Sequence, residues 1–196
     1  MKTLSAVVVL VASVALGAQR AADDNAFPRT KPYGRATVQY EDPQVKAVAI
    51  YDYSQRNHNQ PWLLVQFGVA LSQRTEVRRD SFHVVMMPDR REVPLATQQQ
   101  FLADAARIQQ FKQNARMFYR PLTSFFPKSG DRVFGMRWVS LPEEGTICEL
   151  AVIPAEYDLL VGDLYFKSPT LKWESGTHRL VFDHPKGHAE LPIRLE

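Results

Sequence analysis

Cysteine is almost absent from this chain, because Cys148 is the only one in 196 residues. One cysteine excludes an intrachain disulfide, so the hydrophobic core alone must hold the fold together. The length suits a single domain with room for such a core. An excess of one charge is also missing, since 24 basic side chains stand against 21 acidic ones. This balance does not require an anionic partner.

Several sequence motifs of enzymes are missing as well. The chain has no Gly-x-Ser-x-Gly elbow, no glycine-rich phosphate-binding loop and no dinucleotide-binding fingerprint. These absences remove the usual motif evidence for a hydrolase or a nucleotide-dependent enzyme. A catalytic triad is recognised by its geometry rather than by sequence adjacency, so a hydrolase without the elbow stays open.

The chain also lacks an apolar run long enough to cross a membrane as a helix, which takes about 20 residues. Its longest run, residues 4–16, has 13 residues and follows Lys2. Small residues at Ala15 and Gly17 are typical of the cleavage site of a secretory signal peptide. We expect a signal peptide over 1–17, with cleavage after Ala18 as the alternative. The mature protein would be secreted or periplasmic, without a stable membrane span; an uncleaved N-terminal anchor is the other interpretation.

The mature chain is predicted to be mainly β. Residues 18–36 are polar and carry Pro28, Pro32 and Gly34, which predicts a flexible leader before a domain that covers 37–196. Strands are predicted at 45–53, 62–72, 81–87, 92–96, 132–141, 146–153, 159–166, 177–183 and 188–195. Short strands separated by turn residues favour a single immunoglobulin-like β-sandwich.

The strand 62–72 has the pattern of a central strand. One of its faces is wholly apolar and the other is mixed; the apolar face carries Leu63, Val65, Phe67, Val69 and Leu71. Gly68, in the middle of the strand, indicates a bulge or a close approach of the backbone.

Two predicted hairpins have registers that bring apolar residues together. A turn at Asp89 and Arg90 would set Met86 opposite Val93. A turn over 184–187 would set Phe182 opposite Ala189 and Leu180 opposite Leu191. A slip of one residue would move these side chains to the other face, so the apolar pairing supports the registers.

One segment has helical periodicity instead. Thr97 and Gln100 form a capping-box pattern, and apolar residues then recur at helical spacing: Phe101, Ala105, Ile108, Phe111, Ala115 and Phe118. We therefore predict one long inserted α-helix over about 98–119, ended by Pro121. Its apolar stripe should pack on the sheet face that carries Val85 and Met87. A partner-binding or membrane-surface role of the stripe is the alternative.

Cys148 lies in the predicted strand 146–153, on the same face as Leu150 and Val152. Alternation therefore predicts a buried thiol that acts as a small apolar side chain. A catalytic or dimerising thiol is the alternative. A reactive thiolate needs a nearby base or a helix N-terminus, and the local sequence supplies neither.

Asp183, His184 and His188 are the candidate metal ligands, at the tip of the last hairpin. The predicted register sets Asp183 opposite His188 with His184 beside them, and carboxylate and imidazole groups are suitable zinc ligands. A His-x-x-x-His pair binds metal mainly on a helix, however, whereas Pro185 and Gly187 indicate a turn. We therefore interpret the three residues as part of a solvated hairpin and expect no metal and no cofactor.

Two further segments carry groups that could take part in catalysis. Ser175 and His178 lie close together in sequence, and Glu143 and Glu144 are adjacent carboxylates. Both segments fall in or next to predicted turns. Acid–base catalysis needs a carboxylate that is desolvated or otherwise tuned, of which the sequence carries no sign. We therefore assign no catalytic residue.

Basic side chains occur in two pairs and along the predicted helix: Arg78, Arg79, Arg90, Arg91, Arg107, Lys112, Arg116 and Arg120. Asp80, Asp89 and Glu92 interleave with the pairs, so ordinary solvated charge explains them. An anionic envelope surface or polysaccharide is the alternative partner, whereas export argues against nucleic acid.

These patterns predict an exported, non-enzymatic β-sandwich protein that acts as a binding or structural module. Its partner would be a protein or another component of the cell envelope. A small secreted hydrolase or a metal-dependent carbohydrate-active module is the alternative, because a fold class by itself does not determine function.

Overall fold

The chain folds into two large β-sheets packed face to face and a small two-stranded sheet of Val77–Arg78 and Ala151–Val152. The computed structural model describes residues 26–127, 132–145, 147, 151–152 and 155–196. The strands are β1 (Thr30–Pro32), β2 (Thr37–Glu41), β3 (Val45–Ile50), β4 (Trp62–Leu71), β5 (Val77–Arg78), β6 (Phe82–Met86), β7 (Arg91–Pro94), β8 (Val133–Met136), β9 (Ala151–Val152), β10 (Leu159–Lys167), β11 (Gly176–His184) and β12 (Gly187–Leu195). The larger sheet has the order β1-β2-β3-β4-β10-β8, and the smaller sheet has the order β12-β11-β6-β7. The predicted β-sandwich is confirmed.

Short helices connect some of the strands. They are α1 (Asp52–Arg56), α2 (Gln98–Ala103) and α3 (Ala105–Ala115), with 3₁₀ turns at Arg79–Ser81, Arg116–Phe118, Leu122–Phe125 and Pro142–Glu144. In the part of the chain that the structure describes, no helix has the length and hydrophobicity that crossing a membrane requires.

The main core lies between the two sheets and uses the faces that alternation predicts. β4 directs Leu63, Val65 and Phe67 into this core. The Phe67 ring lies 5.5 Å from the ring of Phe82 and 6.2 Å from that of Phe182, measured between centroids. All five side chains are fully buried. The apolar surface that they remove from water is the main stabilising contribution to the sandwich.

β4 is buried along its whole length because other layers cover both faces of the larger sheet. All of its residues are buried, as predicted for a central strand. Gly68 marks a close approach, since a Cβ at this position would lie 3.0 Å from the ring of Phe126. The 3₁₀ turn Leu122–Phe125 leads into Phe126 and places it over the outer face of the sheet.

The helices α2 and α3 pack on the larger sheet, and the prediction that they cover Val85 and Met87 is wrong. The apolar stripe is buried, as predicted, but in a cluster on the outer face of β4 and β10. The Phe101 ring lies 5.9 Å from Trp62 and 5.0 Å from Tyr165. These two rings present more apolar surface than Val85 and Met87 do, so burying the stripe against them is more favourable.

The predicted single helix is interrupted at Asp104 and ends before residue 119. Its start is confirmed, because Thr97 Oγ1 accepts from the Gln100 N–H at 3.0 Å and Gln100 Oε1 accepts from the Thr97 N–H at 2.9 Å. Asp104 departs from helical geometry, with φ −111° and ψ 22°. Its carboxylate accepts from Trp62 Nε1 at 3.2 Å and pairs with Lys167 Nζ at 2.8 Å. The hydrogen bond and charge of Lys167 lower the pKa of Asp104.

Part of the segment 18–36, which the sequence predicts to be a leader, belongs to the folded domain. β1 pairs with β2, with Thr30 opposite Tyr40 and Pro32 opposite Val38, and Phe27 is buried. A proline is tolerated here because β1 is an edge strand, where a missing N–H need not remove a ladder hydrogen bond.

Both predicted hairpins form, one in the predicted register and one shifted. In β11 and β12, Phe182 faces Ala189 as predicted. In β6 and β7, Val84 faces Val93, so the prediction that Met86 faces Val93 is wrong by two residues. Four residues rather than two form this turn. Because the shift is an even number, each side chain keeps its predicted face.

Other predicted strands are shorter or lie outside the described residues. The strand predicted over 132–141 ends at Met136, and the strand predicted over 45–53 ends at Ile50, where α1 follows. Of the segment 146–153, the described residues include β9 and residue 147. Cys148 and the predicted signal peptide 1–17 lie outside the described residues, so both stay predictions.

Candidate functional site

A cleft of about 860 Å³ opens on the outer side of the larger sheet, where β8 and β10 run side by side. It is lined by residues of β10, of the segment 119–123 and of the segment 133–139, together with Gln66, Lys112 and Glu144. We call it the Asp163 cleft. Met136 of the main core reaches the cleft, and β10 contributes side chains to both the core and the cleft, so the sandwich acts as its scaffold.

The pairing of β8 with β10 depends on a glycine. Gly162 lies opposite Met136 in this parallel pair. A Cβ at Gly162 would lie 2.2 Å from the Met136 carbonyl oxygen, which is far inside van der Waals contact. Glycine therefore permits the close approach of the two strands beside the cleft.

Alternation along β10 places Asp163 in the cleft. Leu164 and Phe166 belong to the main core, whereas Asp163 and Tyr165 line the cleft. The hydroxyl of Tyr119 donates to Asp163 Oδ2, and the hydroxyl of Tyr165 lies 3.5 Å from the same oxygen. Two elements far apart in the sequence thus converge on one carboxyl group.

The environment of Asp163 disfavours its charge. Burial raises the pKa of Asp163 above its ordinary value, and the tyrosine hydrogen bonds and the charge of Lys112 offset this shift only in part. Burial and the negative charge of Asp163 raise the pKa of Tyr119 and of Tyr165. Both tyrosines therefore stay protonated at neutral pH and act as hydrogen-bond donors.

Lys112 and Glu144 form an ion pair at one side of the cleft. Lys112 Nζ lies 2.5 Å from Glu144 Oε1, and Glu144 Oε2 accepts from the Leu141 N–H at 3.0 Å. Burial acts to raise the pKa of Glu144, but the hydrogen bonds from Lys112 and Leu141 outweigh it and lower the pKa below its usual value. Both oxygens of Glu144 are thus engaged within the protein.

Two arginines complete the charged lining. Arg120 Nη2 lies 2.8 Å from Asp52 Oδ2, and the Arg120 N–H donates to Gln66 Oε1 at 3.3 Å. Arg137 donates to the carbonyl oxygen of Glu144. Each guanidinium keeps further N–H groups beyond these bonds, because arginine carries five donors.

The structure brings two of the three candidate metal ligands together and separates the third. His188 Nδ1 lies 3.3 Å from Asp183 Oδ1 on the exposed face of the last hairpin. His184 is buried on the other face, where its Nε2 donates to the Glu76 carbonyl at 2.8 Å and its Nδ1 accepts from the Lys186 N–H at 3.0 Å. Among the described residues, no group of three or more His, Cys, Asp or Glu could hold a metal ion.

Ser175 contacts a histidine, but not the one close to it in sequence. Its Oγ lies 3.0 Å from His58 Nε2, and His58 Nδ1 lies 3.2 Å from the Gln55 carbonyl. Because Nδ1 faces a carbonyl, it carries the proton, and Nε2 accepts from the serine hydroxyl. His178 is fully buried, with its two ring nitrogens bonded to the Met87 N–H and to the backbone carbonyl of residue 174.

The other sequence candidates are engaged in local contacts. Glu143 and Glu144 lie in a 3₁₀ turn, and Glu144 is the one that lines the cleft. Arg78 Nε lies 2.7 Å from a carboxylate oxygen of Glu76, and Arg91 Nη2 lies 3.1 Å from one of Asp89. Of the basic residues predicted on the helix, Lys112 and Arg120 line the cleft.

Sequence reasoning missed Asp163 and Tyr119. The available signal was an acidic residue inside the predicted strand 159–166, on the face opposite Leu164 and Phe166. Its partner Tyr119 lies 44 residues away, so no local pattern links the two residues.

No protein-family model, curated protein or solved structure matches this chain.

Proposed function

We propose that this protein is an exported, non-enzymatic β-sandwich module that binds a component of the cell envelope in the Asp163 cleft. The observation that carries the proposal is the convergence of Asp163, Tyr119 and Tyr165 in a cavity of about 860 Å³. Ligand sites are typically concave, about 300–1,000 Å³ in volume, and combine apolar walls with a few placed polar groups.

A concave polar site also suits an enzyme, but the state of its side chains favours binding. General acid–base catalysis needs a group that can reach the proton it transfers. Glu144 uses both carboxylate oxygens on Lys112 and Leu141, and Tyr119 donates its hydroxyl to Asp163. The groups hold one another in place, which supports a preorganised recognition surface.

A cleft-filling variant tests the site. The probes are a panel of saccharides, peptides, amino acids, nucleosides and fatty acids. We expect at least one of them to raise the melting temperature of the wild-type protein, because a ligand that binds only the folded state stabilises it. Val161 lines the cleft, so Val161→Phe should abolish this shift. Val85 lies outside the cleft, on the smaller sheet, so Val85→Phe is the matched control and should keep it.

Circular dichroism of both variants checks that they fold. An equal shift in the wild-type protein and in a folded Val161→Phe variant would place the ligand elsewhere and refute the assignment. A panel with no hit on the wild-type protein would also refute it.

The second candidate function is a hydrolase at Ser175, favoured by its contact with His58. A serine next to a histidine that a third group orients is the arrangement of an activated nucleophile. A fluorophosphonate probe should then label Ser175, as Oγ displaces fluoride from phosphorus and His58 takes the hydroxyl proton. Ser175→Ala should remove the label, whereas Ser124→Ala, at an exposed serine bonded to the Pro121 carbonyl, should keep it. No label on the wild-type protein would exclude this candidate.

A further inference from the structure

The charges that line the Asp163 cleft are balanced by neighbours within the protein. Three basic side chains and two carboxyl groups are among the described lining residues: Lys112, Arg120, Arg137, Glu144 and Asp163. Lys112 is paired with Glu144, and Arg120 is paired with Asp52 outside the lining. A ligand of either net charge would meet groups of its own sign and would break or compete with these pairs. The electrostatics therefore favour an uncharged ligand.

The polar groups of the cleft can satisfy a ligand that both donates and accepts hydrogen bonds. The tyrosine hydroxyls contact Oδ2 of Asp163, and within the described part of the chain no residue donates to Oδ1. This oxygen is an acceptor for a ligand, while Arg137 has further N–H groups that can donate. A hydroxyl group of a ligand can donate to Oδ1 and accept from Arg137, because it carries one donor and two acceptor positions.

Apolar side chains separate these polar groups. Leu122, Val133, Val139 and Val161 line the same cleft, and Val133 is 53% exposed. A sugar ring presents C–H faces between its hydroxyl groups, so it can contact such apolar patches and the polar groups at once. The hydrocarbon chain of a fatty acid would cover Asp163 Oδ1 and the further N–H groups of Arg137 without bonding to them, which costs binding free energy.

From this combination we infer that the Asp163 cleft binds an uncharged, hydroxyl-rich ligand, a short oligosaccharide, with Asp163 accepting hydrogen bonds from its hydroxyl groups. The inference rests on the proposed function, in which this cleft is the ligand site. The cavity of about 860 Å³ lies at the upper end of the range for small-molecule sites, which suits several linked rings.

Calorimetric titration with matched sugars tests the ligand class. The probes are cellotetraose, maltotetraose and the tetramer of N-acetylglucosamine, which are uncharged, with tetraglucosamine as the cationic and tetragalacturonate as the anionic counterpart. We expect at least one uncharged probe to bind about tenfold or more tighter than both charged ones. Its Kd should change less than about twofold between about 0.05 and 0.5 M sodium chloride, because salt screens only charge–charge attraction.

Two variants connect that binding to the cleft. Asp163→Ala should weaken the binding of the uncharged probe about tenfold or more, since it removes the carboxyl group that bonds to the ligand hydroxyls and leaves those hydroxyls without a partner. Val161→Phe should also weaken it, whereas Asp183→Ala, at the exposed hairpin, should leave it unchanged. Equal binding by the wild-type protein and both cleft variants would overturn the inference.

The outcomes separate the ligand class from the site. Tighter binding of a charged tetramer, or a cleft-dependent ligand that is a peptide or a fatty acid, would overturn the oligosaccharide and leave the cleft as the binding site. A protein that binds none of the sugars and none of the wider panel would refute both the ligand class and the proposed function.

Discussion

Asp163 is an acidic residue on an otherwise apolar part of β10, and its surroundings favour the protonated form. Burial raises its pKa, with partial compensation from the hydrogen bonds of Tyr119 and Tyr165 and the charge of Lys112. In the unfolded chain the same carboxyl group has the ordinary, lower pKa of an aspartate. The folded state therefore binds more protons than the unfolded state between the two pKa values, and the free energy of unfolding falls as pH rises through that interval.

Asp163→Asn should remove this pH-dependent loss of stability. Asparagine stays uncharged, and its carbonyl oxygen can still accept from the tyrosine hydroxyls. We expect the variant to have a higher free energy of unfolding than the wild-type protein at pH 7, and the difference to disappear near pH 3, where both proteins are uncharged at this position. Urea unfolding of both proteins at pH 7 and near pH 3 measures this difference in the free energy of unfolding.

Asp80→Asn is the control for this comparison, because Asp80 is an exposed aspartate away from the cleft. A wild-type protein that is more stable than Asp163→Asn at pH 7 would contradict the expected sign. It would mean that the charged form of Asp163 is stabilised in the folded protein.

The helices α2 and α3 are amphipathic elements whose position is set by the sheet beneath them. Their buried side chains contact aromatic rings of the strands and of α1. The centroid of the Phe111 ring lies 4.7 Å from that of Tyr53 and 6.5 Å from that of Tyr165. Asp104 anchors the junction between the helices through Trp62 and Lys167. Because Tyr165 also lines the cleft, the helices support one of its walls.

Phe111→Ala tests the packing of these helices on the larger sheet. Phe111 is only 2% exposed, so its truncation should lower the free energy of unfolding by about 3–5 kcal/mol, the loss typical of a buried phenylalanine. Gln110→Ala is the matched control on the same helix. Gln110 is exposed and bonds only to Asn114 among the described residues, so the control should stay within about 0.5 kcal/mol.

Chemical denaturation of the two variants gives both values. An unchanged stability of Phe111→Ala would mean that the stripe is accessible in solution. The stripe would then be a binding surface rather than part of the fold.

The molecule as a whole is a sandwich with an additional layer over the outer face of its larger sheet. One cluster fills the space between the sheets, a second lies under α2 and α3, and a third lies under the segment 122–126. The cleft occurs beside this additional layer, where β8 and the segment 119–123 border β10. The apolar layers give stability, and the polar groups at their margin form the site.

Export is a prediction for the whole protein and rests on residues 1–18. The protein produced in its own cells should be found outside the cytoplasm, with Ala18 or Gln19 as its first residue. N-terminal sequencing of the purified protein measures this. A soluble cytoplasmic protein that still begins at Met1 would show that the apolar run 4–16 is not a signal peptide.

Local patterns were enough to predict much of the sandwich. The alternation along β4, the capping box at Thr97 and the register of Phe182 with Ala189 each depend on residues close together in the chain, where strand periodicity and backbone geometry act directly. The same patterns could not predict that α2 and α3 cover β4 and β10. More than one sheet face is apolar enough to bury the stripe of these helices, and local sequence patterns do not determine which face it contacts.

The site depends on contacts that local patterns do not encode. Tyr119 reaches Asp163 across 44 residues, and Ser175 reaches His58 across 117. Composition and periodicity determined that this chain is a β-rich domain with one helical segment, because each element is specified by its own neighbours. Tertiary structure alone decided which polar side chains meet, because the distance between remote residues follows from how the sheets and helices pack.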